Sequence, residues 1–143
     1  RDENGSSPLH IACREDFETT CKLLDLNADP MARNDKGDTP LHYVASAEMI
    51  DVMLLSGAEI NARNNDGKTP IHCAIDEGRT EVARSLLLAG ASLSTQDKRG
   101  RSPLHHACLG NNEVMVQKIL ERREVDVDTA DNSGMRALHF ADT

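Results

Sequence analysis

The feature that most constrains this chain is a short phrase that recurs five times: Gly5-Ser-Ser-Pro-Leu-His10, Gly37-Asp-Thr-Pro-Leu-His42, Gly67-Lys-Thr-Pro-Ile-His72, Gly100-Arg-Ser-Pro-Leu-His105 and Gly134-Met-Arg-Ala-Leu-His139. Successive glycines lie 32, 30, 33 and 34 residues apart. Self-similarity at such a period marks units that stack, because a unit of that size cannot bury its apolar face alone and is covered by the next copy. The composition agrees. Two Phe, one Tyr and no Trp in 143 residues furnish no single bulky centre, whereas stacked units need only Leu, Ile, Val and Ala between neighbours.

In each of the first four copies, Ser or Thr followed by Pro reads as a helix start. The hydroxyl caps free backbone N–H groups, and Pro suits a first helical position that needs no donor. Thr69-Pro70 and Ser102-Pro103 thus open a first, inner helix. The spacing of Val82, Ala83, Leu86 and Leu87 predicts a second, outer helix, since it is helical and not alternating. That helix ends at Gly90, which takes positive φ cheaply, and an extended finger from Ala91 to Asp97 leads to the turn at Lys98-Arg99-Gly100. In the first copy Leu23 and Leu24 lie on the outer helix and Asn27 takes the closing role of the glycine. In the fourth, Arg123-Glu124 replaces it, followed by the acidic alternation Val125-Asp126-Val127-Asp128.

A Thr-Pro-Leu-His core at this period resembles the ankyrin-repeat family, and the resemblance runs from end to end. It implies an all-α solenoid of stacked helix-turn-helix units with projecting β-hairpin or turn fingers. The chain then reads as one domain, 1–143, with repeats at about 2–33, 34–63, 64–95 and 96–130 and a partial fifth at 131–143. Beginning inside one repeat's first turn and stopping inside another's first helix, it reads as a fragment of a longer protein. The second repeat is short: Thr39 to Gly57 spans 18 positions where Thr69 to Gly90 spans 21. The loss falls around Ala45 to Glu48, which predicts a shortened inner helix or a tighter turn and a step in the concave surface beside Tyr43, the only Tyr.

Charge and cysteine usage narrow the function. A net charge of −8 and a pI near 5.1 argue against nucleic acid and anionic membrane, which need a basic stripe. No apolar run is long enough to span a bilayer. Cys13, Cys21, Cys73 and Cys108 lack the spacing of a disulfide scaffold, which places the chain in a reducing compartment, cytoplasm or nucleus.

Five of the six histidines, His10, His42, His72, His105 and His139, share one repeat position, which is architecture before it is chemistry. The family resemblance implies a buried imidazole there, hydrogen-bonded to the preceding Ser or Thr and across repeats. His10-x-x-Cys13 and His105-x-x-Cys108 look like zinc half sites, but they stand three repeats apart and zinc needs four convergent ligands. No metal and no cofactor is expected. With no G-x-S-x-G, no phosphate-cradling glycine loop and no H-E-x-x-H, no enzyme is expected either.

What remains is binding. In the family, the finger tips and the exposed face of the inner helices grip protein partners, and that surface maps here onto Lys36, Asp38, Tyr43, Lys68, Asp76, Glu77, Lys98, Arg99, Arg101 and Leu109. Tyr43, Arg99 and Arg101 are the expected anchors because aromatic and Arg side chains dominate interface hot spots. Lys68 and Lys98 are expected to steer an acidic segment of the partner. Glu59-Ile60-Asn61-Ala62 resembles the finger sequence in which ankyrin asparagines are hydroxylated by an oxygen-dependent asparaginyl hydroxylase, making Asn61 a candidate modification site. The chain is therefore read as a non-catalytic protein–protein interaction module whose partner is another protein, monomeric or weakly self-associating end to end. The alternative is a regulatory or scaffolding array of a multidomain enzyme. Ala47-Glu48-Met49 is similar to a short repeat in the arrays that precede patatin-type, calcium-independent phospholipase A2 domains.

Overall fold

A Ser or Thr before Pro does start each of the first four inner elements, and the histidine three positions into the helix completes the cap. Ser7/His10, Thr39/His42, Thr69/His72 and Ser102/His105 each form a capping box, with imidazole in the place that Glu or Gln usually fills. In the computed structural model, which describes residues 1–141, the resulting elements are α1 (Pro8–Glu15), α2 (Phe17–Asp25), a 3-10 turn (Pro40–Tyr43), α3 (Ala47–Leu55), α4 (Pro70–Asp76), α5 (Thr80–Leu88), α6 (Pro103–Leu109), α7 (Glu113–Leu120) and a second 3-10 turn (Ala137–Phe140). Residues 142 and 143, the end of the partial fifth repeat, lie outside the described residues.

These elements form two rows. The inner row stacks α1 on the first 3-10 turn, that turn on α4, α4 on α6 and α6 on the second turn, while α2, α3, α5 and α7 form the outer row. The core lies between the rows and repeats with the sequence. Leu9, Leu41, Ile71 and Leu104, each one residue after the Pro, are all but fully buried, as are Met53, Leu86 and Ile119 of the outer row. Burying each such side chain contributes about 1.5–3 kcal/mol. Leu138, the fifth occupant of the inner position, is 48% exposed.

The fingers are turns and not paired strands. The one extended pairing among the described residues is an isolated antiparallel bridge between Ala130 and Arg136. Each turn is nevertheless locked to the next by a backbone bond: Asp35 N–H to Asn4 O, Asn65 N–H to Lys36 O, Lys98 N–H to Asp66 O and Asn132 N–H to Arg99 O, each 2.9 Å. Close approach explains the glycine there. Gly37 has φ of 75°, and a Cβ on it would lie 2.9 Å from the Asn65 backbone nitrogen. Beside the turns runs a second ladder: Arg1 donates to Arg33 O, Arg33 to Arg63 O, Arg63 to Gln96 O and Gln96 to Ala130 O.

The three missing residues are taken from the inner helix of the second repeat, which is reduced to the single turn Pro40–Tyr43. The chain then runs extended through Val44 to Ser46 before α3. Arg79, from the α4–α5 connection, fills the gap. Its guanidinium donates to Val44 O at 2.6 Å and His42 O at 2.8 Å, satisfying carbonyls that a full helix would have bonded internally. Its Nε lies 3.1 Å from Glu77 Oε2, off the N–H axis, so no hydrogen bond forms there. The Ser46 hydroxyl, at the start of α3, is buried without a partner.

Candidate functional site

The repeated histidines come first because they decide which polar groups are free. In His10, His42, His72 and His105 the Nδ1 atom accepts the backbone N–H of the capping Ser or Thr at 3.0–3.2 Å. An Nδ1 that accepts carries no hydrogen, so Nε2 carries it in the neutral ring. That Nε2 donates to the next repeat, at Asp38 O, Lys68 O, Arg101 O and Met135 O respectively, over 2.8–3.2 Å. Burial drives the proton affinity of His10, His42 and His72 down, to about 4 for His72. These rings are structural pins. His139 departs from the expected pattern: it keeps the local bond from Arg136 N–H but is exposed.

The metal and nucleophile readings meet the same obstacle. Asp38, His42 and Cys73 bring one ligand atom each within 4.8 Å of one another. Both His42 nitrogens are already engaged, and the Asp38 carboxylate takes the Tyr43 hydroxyl and the Asn64 amide. A metal would have to displace all of these. Burial pushes the Cys13 and Cys73 thiols up to about 12, which leaves them protonated and weakly nucleophilic.

The concave surface carries two cavities. One, of about 340 Å³, lies between the third and fourth fingers over α4 and α6 and is lined by Asp66, Lys68, Asp76, Lys98, Arg99 and Leu109 among others. Its floor is a charged cluster centred on His106, which sequence reasoning passed over. This ring is 6% exposed, with Nδ1 2.6 Å from Asp76 Oδ1 and Nε2 2.8 Å from Asp97 Oδ2. Asp76 also takes Lys68 Nζ at 2.7 Å. Burial alone would raise the Asp76 carboxyl, but the bonds from His106 and Lys68 outweigh it and hold it at about 2. Asp97 accepts the backbone N–H groups of Arg99 and Arg101, so the cluster fixes the fingertip that carries them.

The second cavity, of about 160 Å³, lies between the first and second fingers and is lined by Ile11, Arg14, Lys36 and Tyr43 among others. It adjoins Tyr43, where a step in the surface was expected. The Tyr43 hydroxyl donates to Asp38 Oδ2 at 2.6 Å and accepts from Asn34. Burial and the bond to Asp38 push its phenol up to about 12. Arg14 lies over its ring at 4.4 Å.

Of the residues expected to meet a partner, Asp38 needs correction: it is 5% exposed, because Tyr43 and Asn64 take both its oxygens. Lys68 and Arg101 are on the surface but neutralised at home, Lys68 by Asp76 and Arg101 by Asp131 at 3.3 Å and the Phe140 ring at 5.4 Å. Glu77 faces Arg79, and Asp76 belongs to the His106 cluster. Lys36, Lys98, Arg99 and Leu109 are exposed, and among the described residues no hydrogen bond or ion pair holds the three cationic side chains. Asn61 is exposed in its finger, with its side-chain carbonyl accepting Ser92 N–H at 2.9 Å.

A stack of helix pairs, with chemically inert pins inside and cationic cavities on the concave side, defines a repeat-protein scaffold that presents a surface. The chain matches the family model for ankyrin repeats, three copies, over residues 9–97 and 84–142, and it belongs to that family. Similar proteins include a subunit of target of rapamycin complex 2, AVO2, from Saccharomyces cerevisiae, 39% identical over 43% of this chain and 15% of its own length. The human mitochondrial disaggregase is 38% identical over 38% of this chain and 8% of its own. The mouse protein phosphatase 1 regulatory subunit 27 is 49% identical over 28% of this chain and 27% of its own. The matched segment is thus a small part of each relative. No helix among the described residues is long and apolar enough to cross a membrane.

Proposed function

We propose that this ankyrin array is a non-catalytic docking module that grips an acidic segment of a partner protein along its concave face. The observation that carries it is the pair Lys98 and Arg99: two exposed cations at one fingertip, without a partner among the described residues, beside the 40% exposed Leu109 in a cavity of about 340 Å³. The His106–Asp97 cluster holds the fingertip backbone in place, so docking costs little ordering of the loop. Exposed cations of this kind speed encounter and select the sign of the partner. Lys98→Glu/Arg99→Glu reverses that sign without touching a buried group. In a pull-down read by mass spectrometry, wild type and variant bait with matching circular dichroism should differ in an acidic protein retained only by wild type; identical lists sink the proposal.

A second reading is favoured by one relative whose name is that of a phosphatase regulatory subunit: the array docks or regulates a larger enzyme, through the same surface. Buried, protonated thiols suit a reducing compartment such as cytoplasm or nucleus. Asn61 is the proposed hydroxylation site, checked by intact-mass measurement after incubation with the hydroxylase, where a gain of one oxygen atom is expected and an unchanged mass excludes it.

A further inference from the structure

Cationic side chains in this protein are seldom idle. Most of them donate to a protein oxygen, in the Arg1–Arg33–Arg63 ladder, in the Arg79 plug or in ion pairs such as Lys22–Glu18 and Arg84–Glu81. Among the described residues, the exceptions are Arg14, Lys36, Lys98 and Arg99 together with Arg122 and Arg123, which follow α7. The first four fall two and two into the two concave cavities. Each cavity also contains one half-exposed aliphatic side chain, Ile11 at 41% in the smaller and Leu109 at 40% in the larger. Each also has an acidic side chain in its lining, Asp2 and Asp66 respectively. The same chemistry, two free cations around an aliphatic patch, is therefore built twice on a chain of net charge −8.

We propose that the concave face is a two-anchor site for one extended peptide segment carrying two acidic–aliphatic pairs, one for each cavity. This rests on the docking function proposed above and adds the form of the ligand. The smaller cavity lies between the first and second fingers and the larger between the third and fourth, two repeat steps apart. Packed helices lie about 10 Å apart, so two steps come to about 20 Å. An extended chain covers about 3.3 Å per residue, which sets the two acidic–aliphatic pairs about six residues apart. Tyr43, where the shortened inner element of the second repeat ends, forms part of the wall of the smaller cavity. Arg14 is held at the cavity: its guanidinium carbon lies over the Tyr43 ring, 4.4 Å from the ring centre, and a guanidinium offers paired N–H groups to a carboxylate. Once one pair is seated, the second binds at the high effective concentration set by the short tether.

The test uses fluorescein-labelled peptides with one Glu-Leu pair, or with two such pairs joined by Gly-Ser spacers of graded length, titrated by fluorescence anisotropy at low and at physiological ionic strength. The two-pair peptide should bind about tenfold or more tighter than the one-pair peptide, with the tightest binding at a separation near six residues. Arg14→Ala/Lys36→Ala should erase that gain while leaving one-pair binding, and Lys98→Ala/Arg99→Ala should erase it from the other side. One-pair binding that depends on Lys98 and Arg99 but gains nothing from a second pair at any spacing overturns the two-anchor site and leaves the docking function standing. No binding of either peptide overturns both.

Discussion

A histidine pinned neutral between two repeats ties folding to pH. In His10, His42 and His72 burial lowers the folded-state pKa, to about 4 for His72, and protonation would also turn the accepting Nδ1 into a donor facing a donor. The unfolded chain takes up protons as pH falls through about 6.5, and the folded chain resists until well below that. Their contribution is thus complete above about pH 6.5 and is lost as pH falls from there toward 4. Each resisting histidine costs up to about 1.4 kcal/mol per pH unit inside that window. Asp76, held at about 2, adds a second loss below about pH 4. Urea midpoints should be level between pH 7 and 8 and fall steadily from 6.5 to 4.5. A midpoint unchanged at pH 5 would show that the rings are not held neutral. The shared position of these histidines was plain in the sequence, and so was their structural role. The partners of His106 were not, because Asp76 lies thirty residues before it and only the stacking of α4 on α6 brings them together.

Helix starts at Ser/Thr-Pro and the missing turn in the second repeat are local, and local patterns are what a sequence displays. The cost of that missing turn is not local. It leaves His42 O and Val44 O without helical donors, and the group that satisfies them comes from Arg79, 37 and 35 residues later. Asp38 was hidden for the same reason. It sits at a position that is Ser6, Lys68, Arg101 and Met135 in the other copies, which reads as a variable, exposed tip, until Tyr43 and Asn64 close over it. The Arg79 plug makes a quantitative claim about this element. Arg79→Ala removes two charge-assisted bonds and leaves two buried carbonyls unpaired, a loss of about 2–3 kcal/mol. Arg79→Lys should recover less than half, since a single ammonium cannot reach both carbonyls as the planar fork does. Urea unfolding of the two variants measures this directly, and a Lys variant equal to wild type would mean that charge alone, and not the fork, fills the gap.

In a solenoid each unit touches only its neighbours, so stability is distributed along the stack and does not reside in one centre. The distribution here is uneven. The inner helix α4 has a repeat on both sides, and α5 beside it buries Val82, Ala83, Leu86 and Leu87. At the first repeat, α2 buries only Thr20. At the other end, the turn Ala137–Phe140 buries only Ala137. The two concave cavities straddle this gradient, with the larger over the firm third and fourth repeats and the smaller over the softer first and second. Local opening follows the burial that must be given up. Amide hydrogen exchange at neutral pH should therefore be slowest in α4, α5 and α6, more than about tenfold faster in α2, and fastest after residue 130. A peptide that spans both cavities should slow exchange most in α1 and α2, where there is most freedom to lose, although its larger contact is with α6. Uniform protection along the stack would instead mean that the repeats open as one unit, and that the end repeats are as firmly held as the centre.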